Sequence, residues 1–264
     1  MNPYNCSKLQ DGKMSMIKLI MNSNYQGYDA KGHEIFKHMK QLTKTLISLI
    51  IILSGSLQLI AQEGDKIEGS PDEGKFEAQL KSAIYTLYNA NNLATFNVVS
   101  KRLKKISDEN ETEWLPLYHE TYANVMAAFF SKEKFATEEY LNQAQISIDK
   151  AKILSEHNDE VHALQGFIHQ ARMINKTGVD VHKYAQLAVK EYDHARFLNP
   201  ENPRPYYLIG QILYRLPPGF GGNKENACKH FIDGVEKYKS FKPKSELHPN
   251  WGEEANRRML NNCK

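Results

Sequence analysis

The chain has 264 residues, 41% hydrophobic and 25% charged, with a formal net charge of +3, an ordinary composition for a soluble protein. The positive charge is concentrated at the start: beyond position 61, 27 basic side chains stand against 28 acidic ones. A near-neutral remainder excludes an electrostatic footprint for nucleic acid or for an anionic lipid surface. The KRLKK cluster at 101–105 is expected to be a solvated helix face.

In chain order, the first feature is a leader. Lys40 and Lys44 precede an apolar run from Leu46 to Ile60, with Ala61 at its exit. A basic start, a short apolar stretch and a small exit residue describe a secretory signal peptide over 39–61. Translation is then expected to begin at Met39, with Met21 as the other candidate start. Residues 1–38 are read as a disordered, non-native extension. A permanent membrane anchor is the alternative, but Ser54, Gly55, Ser56 and Gln58 interrupt the apolar run, which falls short of a spanning helix. No cysteine stands at the exit for lipid attachment. The Ala-Gln exit resembles signal peptides of Bacteroidetes-type bacteria. A periplasmic or secreted protein is expected, touching a membrane only through the targeting segment.

Residues 62–72 read as a flexible tether, with Gly64, Gly69 and Pro71. Over 73–262 the apolar residues recur at three and four, the helical period. Two helices are expected within 73–105, split at Asn89 to Asn92, then a third at 112–130 and a fourth running to Leu154. A fifth spans 159–174, a sixth 181–198, and a seventh follows Asn199-Pro200-Glu201-Asn202-Pro203 and reaches Tyr214 or Arg215. The LPPGFGGN segment at 216–223 is expected to be non-helical. An eighth helix covers 224–240, FKPKSELHP breaks the pattern, and a terminal helix starts near Trp251. Strand signals are almost absent, so the class is all-α.

A 44-residue echo organises the second half. Ala144, Ile148, Ala151, Leu154 and Gly166 stand opposite Ala188, Tyr192, Ala195, Leu198 and Gly210. Such recurrence marks stacked helical hairpins. Helices approach closely only where side chains are small. Gly166 and Gly210 are therefore expected to face the second helix of their own hairpins, with Ala144, Ala151, Ala188 and Ala195 in the same contacts.

The run Ala188, Tyr192, Ala195, Leu198 and Pro200, followed by Tyr206 and Gly210, resembles the tetratricopeptide repeat family, whose unit is a helical pair in 34 residues. The resemblance covers residues 110–240 and, more loosely, 73–262. It implies a right-handed α-α solenoid of four helical hairpins with a C-terminal capping helix. The units here are longer, because NKTGVDVHKY is inserted between the helices of one hairpin. The resemblance also places Leu115, His119, Tyr122, Phe167, Gln170, Arg204, Tyr207, Gln211 and Tyr214 on the concave face, where such proteins bind their partners.

Chemistry is hard to find. No nucleophile elbow, His-Glu-x-x-His helix, Cys-x-x-Cys pair or phosphate loop is present. The eight histidines beyond position 61 form no triplet with metal-site spacing. No catalyst, cofactor or metal is implied. Cys228 and Cys263 either form a disulfide that fastens the C-terminal cap or remain separate thiols. The expected function is an exported, non-catalytic scaffold that binds a protein or peptide in its groove. The alternative is an accessory of a solute transport system holding a small ligand, because the GFGGN loop resembles loops in periplasmic tetratricopeptide-type transport components.

Overall fold

The computed structural model describes residues 71–263 apart from residue 175; the segment expected to be a leader, the residues before it and most of the expected tether lie outside the described residues. Within them the chain forms α1 (Pro71–Tyr88), α2 (Leu93–Glu109), α3 (Trp114–Phe130), α4 (Lys134–Leu154), α5 (Asp159–Ile174), α6 (Val179–Leu198), α7 (Pro203–Arg215), α8 (Lys224–Ser240) and α9 (Glu253–Asn261). No strand occurs among these residues. Consecutive helices pair as four hairpins, α1–α2, α3–α4, α5–α6 and α7–α8, and α9 caps α8. First helices of successive hairpins touch: α1 meets α3, α3 meets α5 and α5 meets α7. The result is a tetratricopeptide-like α-α superhelix.

Asparagine starts several of these helices. Asn92, Asn202 and Asn223 accept hydrogen bonds from the backbone N–H groups of Thr95, Arg204 and Asn226, satisfying donors that the helix itself leaves open. Pro203 follows Asn202 at the first helical position, where its missing N–H costs nothing.

Small residues set the helix spacing. A Cβ on Gly166 would run into the Tyr192 ring, and one on Gly210 would stand 2.6 Å from the Phe231 ring. Each glycine therefore faces the second helix of its own hairpin. Ala144, Ala151, Ala188 and Ala195 are fully buried, and large side chains fill the space between them, Ile148, Ile168, Tyr192 and Phe231 among them. Gly234 does the same for the cap: a Cβ there would meet the amide of Asn256 on α9. That amide donates to the Phe231 carbonyl at 3.1 Å. Cys228 on α8 is disulfide-bonded to Cys263, just beyond α9.

Three boundaries differ from expectation. Helix α1 begins at Pro71, inside the segment read as a tether, because proline is well suited to a first turn. The NKTGVDVHKY insertion does not separate α5 from α6 as a long loop. Its second half lengthens α6, which starts at Val179 after Gly178 turns the chain with φ +61°. The 216–223 loop contains one 3-10 turn, Pro218–Phe220, closed by Gly221 at φ +89°.

Candidate functional site

The concave face carries an occupant from the chain itself. After α8, residues 241–252 cross back over the first helices of the hairpins before entering α9. Leu247 packs against the core formed by α1, α2 and α3, and its carbonyl accepts from His119 Nε2 at 2.8 Å. That bond fixes a proton on Nε2 and leaves the buried Nδ1 without a partner. Burial lowers the His119 pKa to about 4, outweighing the Leu247 carbonyl.

Arg204 is the central fastener of this strap. Its fully buried guanidinium donates to Glu160 Oε1 at 2.6 Å and to the Pro249 carbonyl at 2.7 Å. The Phe241 and Trp251 rings lie 4.8 and 5.2 Å from it. Burial raises the Glu160 pKa to about 7, against the pull of Arg204. The Trp251 indole N–H donates to the Tyr118 hydroxyl at 3.0 Å, and the Trp251 carbonyl accepts from Tyr238 at 3.0 Å. The Asn250 N–H reaches the Tyr88 hydroxyl at 3.3 Å. Gly252 then turns the chain with φ +103°, where any Cβ would also collide with the Tyr238 hydroxyl.

Beside the strap a cavity of 610 Å³ stays open, within the usual range for small-molecule sites. Helix α3 contributes Tyr122, Met126 and Phe129; α5 contributes Phe167, Gln170 and Ile174; α7 contributes Tyr207, Gln211 and Arg215. Tyr88, Trp251, Glu254 and Arg258 also line it. Trp251 lies 5.5 Å from Phe167 at 24°, stacked on it, and 4.8 Å from Tyr122 at a tilt of 36°, so the three aromatic rings form one packed cluster. A hydrogen-bonded polar row runs from the buried Tyr192 into the same lining. Tyr192 donates to Gln170 Oε1, Gln170 Nε2 donates to Gln211 Oε1, and Gln211 Nε2 donates to the Tyr207 oxygen, each at 2.8 Å.

Five of the nine residues expected on the concave face line this cavity: Tyr122, Phe167, Gln170, Tyr207 and Gln211. Four do not. Leu115 belongs to the core against which Leu247 packs, and His119 and Arg204 are fully buried with the strap. Tyr214 turns to α8, with its ring 6.3 Å from Phe231 and Lys224 above it. Tyr88, Met126, Trp251, Arg215 and Arg258 were not anticipated. Trp251, one of only two tryptophans, in an otherwise polar C-terminal stretch, was the available signal. A second cavity of 390 Å³ lies between Trp114, Asp159, Phe241 and Lys244, but the Asp159 carboxylate there is taken by Asn199 and Asn202. Among the described residues no cluster of three or more His, Cys, Asp or Glu is placed to hold a metal ion. No described helix is long and apolar enough to cross a membrane.

No protein-family model matches the chain, and no curated protein matches it. Among solved structures it is similar to the HusA haemophore from Porphyromonas gingivalis, with 22% identity and a TM-score of 0.65, covering 72% of this chain and 92% of that one. A crystal structure of MamA aligns at 18% identity over 67% of this chain and 96% of that one, with a TM-score of 0.37. The first of these likenesses shows a shared helical fold.

Proposed function

We propose that this protein is a non-catalytic binding protein that acts outside the cytoplasm and holds a flat, largely apolar small molecule in its concave cavity. The observation that carries this reading is the cluster of three packed aromatic rings, Tyr122, Phe167 and Trp251, on the wall of the 610 Å³ cavity. Aromatic walls with a few placed polar groups suit a planar ligand. The strap favours a small molecule over a peptide, because residues 241–252 already run where a bound peptide would lie. A haemophore with the same fold makes a tetrapyrrole the first ligand class to test. The Cys228–Cys263 bridge and the leader-like sequence pattern at 39–61 support export.

The purified protein is titrated with haem and with protoporphyrin IX, following the porphyrin absorbance band and tryptophan fluorescence. One saturable site is expected, with fluorescence quenched through Trp251. Phe129→Ala, which removes a cavity wall away from the strap, is expected to weaken binding about tenfold, the loss of part of a large aromatic contact. Absence of both saturable binding and any ligand-induced rise in Tm would defeat the proposal.

A further inference from the structure

We infer that the cavity selects ligands that carry a carboxylate, which the Tyr207 hydroxyl receives together with Arg215 and Arg258. The inference rests on the cavity being the binding site, as proposed above, and it adds the chemical class of group that the ligand must present.

The direction of one hydrogen-bonded row decides it. Tyr192 is fully buried, and its hydroxyl meets Gln170 at 2.8 Å. Reversing the row would make the Gln170 amide donate to the Tyr192 oxygen and strand the Tyr192 proton in the interior. A stranded buried donor costs about 1–3 kcal/mol. With Tyr192 donating, each following bond is set: Gln170 gives its Nε2–H to Gln211, and Gln211 gives its own to the Tyr207 oxygen. The Tyr207 oxygen is thereby an acceptor within the protein, and its proton is left to point at whatever fills the cavity. Tyr207 keeps that proton at neutral pH, since burial lifts its pKa to about 12 despite both nearby arginines.

The charges agree. Arg215 and Arg258 line the same cavity and both act on the Tyr207 hydroxyl. Arg258 is paired with Glu254 at 3.2 Å, while Arg215 has no ion-pair partner among the described residues. Two cations and an obliged O–H donor therefore meet one carboxylate from the protein. An anionic oxygen is the group that satisfies them, and charge-assisted bonds of this kind are the strong ones. The aromatic rings of the same cavity would hold the apolar body of the ligand.

The test compares protoporphyrin IX with its dimethyl ester at pH 7.5. The wild-type protein, Tyr207→Phe, and the double variant Arg215→Gln/Arg258→Gln are titrated with each. The wild type is expected to bind the free acid at least tenfold more tightly than the ester. The double variant should bring that ratio close to one. Tyr207→Phe should weaken the acid about threefold to tenfold while changing the ester far less, and ester binding doubles as its folding control. Equal wild-type affinity for acid and ester overturns the inference and leaves the cavity proposal standing. An acid preference retained in the double variant also overturns it. If neither probe binds, the cavity proposal itself fails and takes the inference with it.

Discussion

At Gly210 a single methyl group would stand 2.6 Å from the Phe231 ring and 3.2 Å from the Ala227 carbonyl oxygen. Two effects oppose each other in Gly210→Ala. Alanine is favoured over glycine by about 1 kcal/mol inside a helix, but overpacking a tight contact costs about 1–3 kcal/mol. Phe231 is fully buried, so the ring has little room to retreat and overpacking should win. Gly210→Ala is expected to lower stability by about 1–2 kcal/mol in urea unfolding, and adding Phe231→Leu should recover part of the loss. His119 offers a residue-scale test through pH. Its folded pKa of about 4 lies below the ordinary 6.5, so between those values the unfolded chain binds a proton that the folded chain refuses. Stability from this site is complete above pH 6.5 and drains away as pH falls toward 4. Relative to His119→Gln, which still donates to Leu247 but does not titrate, the wild type should lose on the order of 3 kcal/mol between pH 7.5 and pH 4. A difference that stays flat across that window would show that the ring is not held neutral. These residues also mark what sequence discloses. The glycines were legible because their spacing repeats. The resemblance put His119 and Arg204 on the concave face, but both are buried beneath the strap, and nothing local to them reveals that another segment lies on top.

The strap and α9 are the elements that turn an open face into a walled cavity. FKPKSELHP reads in sequence only as a helix break, because its bonds are made to distant parts of the chain: Leu247 to His119, Pro249 to Arg204 and Asn250 to Tyr88. Local patterns describe helices, whose bonds are local, and pass over a segment held by such contacts. The same limit explains why Trp251, Arg215 and Arg258 were missed although five other cavity residues were found. The disulfide between Cys228 and Cys263, 35 residues apart, closes the strap and α9 into one loop. Restricting an unfolded loop of that length is worth about 3–4 kcal/mol. Cys228→Ser is therefore expected to lower the unfolding free energy by roughly that amount. It should also weaken porphyrin binding, because Trp251 and Arg258 lie within the loop it releases. Unchanged affinity in a variant of lowered Tm would place the ligand away from this wall.

At the scale of the whole molecule, the repeat and its resemblance to the tetratricopeptide family made the paired-helix architecture legible before any coordinates, since small residues at a constant interval demand stacked hairpins. A plain stack of this kind is stabilised by neighbour contacts, and its ends unfold almost independently. Here the strap departs from that one-dimensional scheme. It reaches α1 through Tyr88 and Leu247, α3 through Tyr118 and His119, α5 through the Phe167 ring, α7 through Arg204 and α8 through Tyr238. All four hairpins are joined by one segment, so the first and last should rise and fall together. The Trp251 side chain makes the contacts with Tyr118 and Phe167 and lies beside Arg204, and truncating a buried tryptophan costs about 3–5 kcal/mol. The wild type is expected to unfold in urea in a single transition, with similar amide-exchange protection in α1–α2 and α7–α8. In Trp251→Ala the α1–α2 hairpin should lose protection at lower urea than the α5–α6 pair, whose helices are also held together by the close packing of Tyr192 on Gly166. Uniform loss of protection across all four hairpins would mean that neighbour packing alone sets the cooperativity and that the strap serves only the cavity.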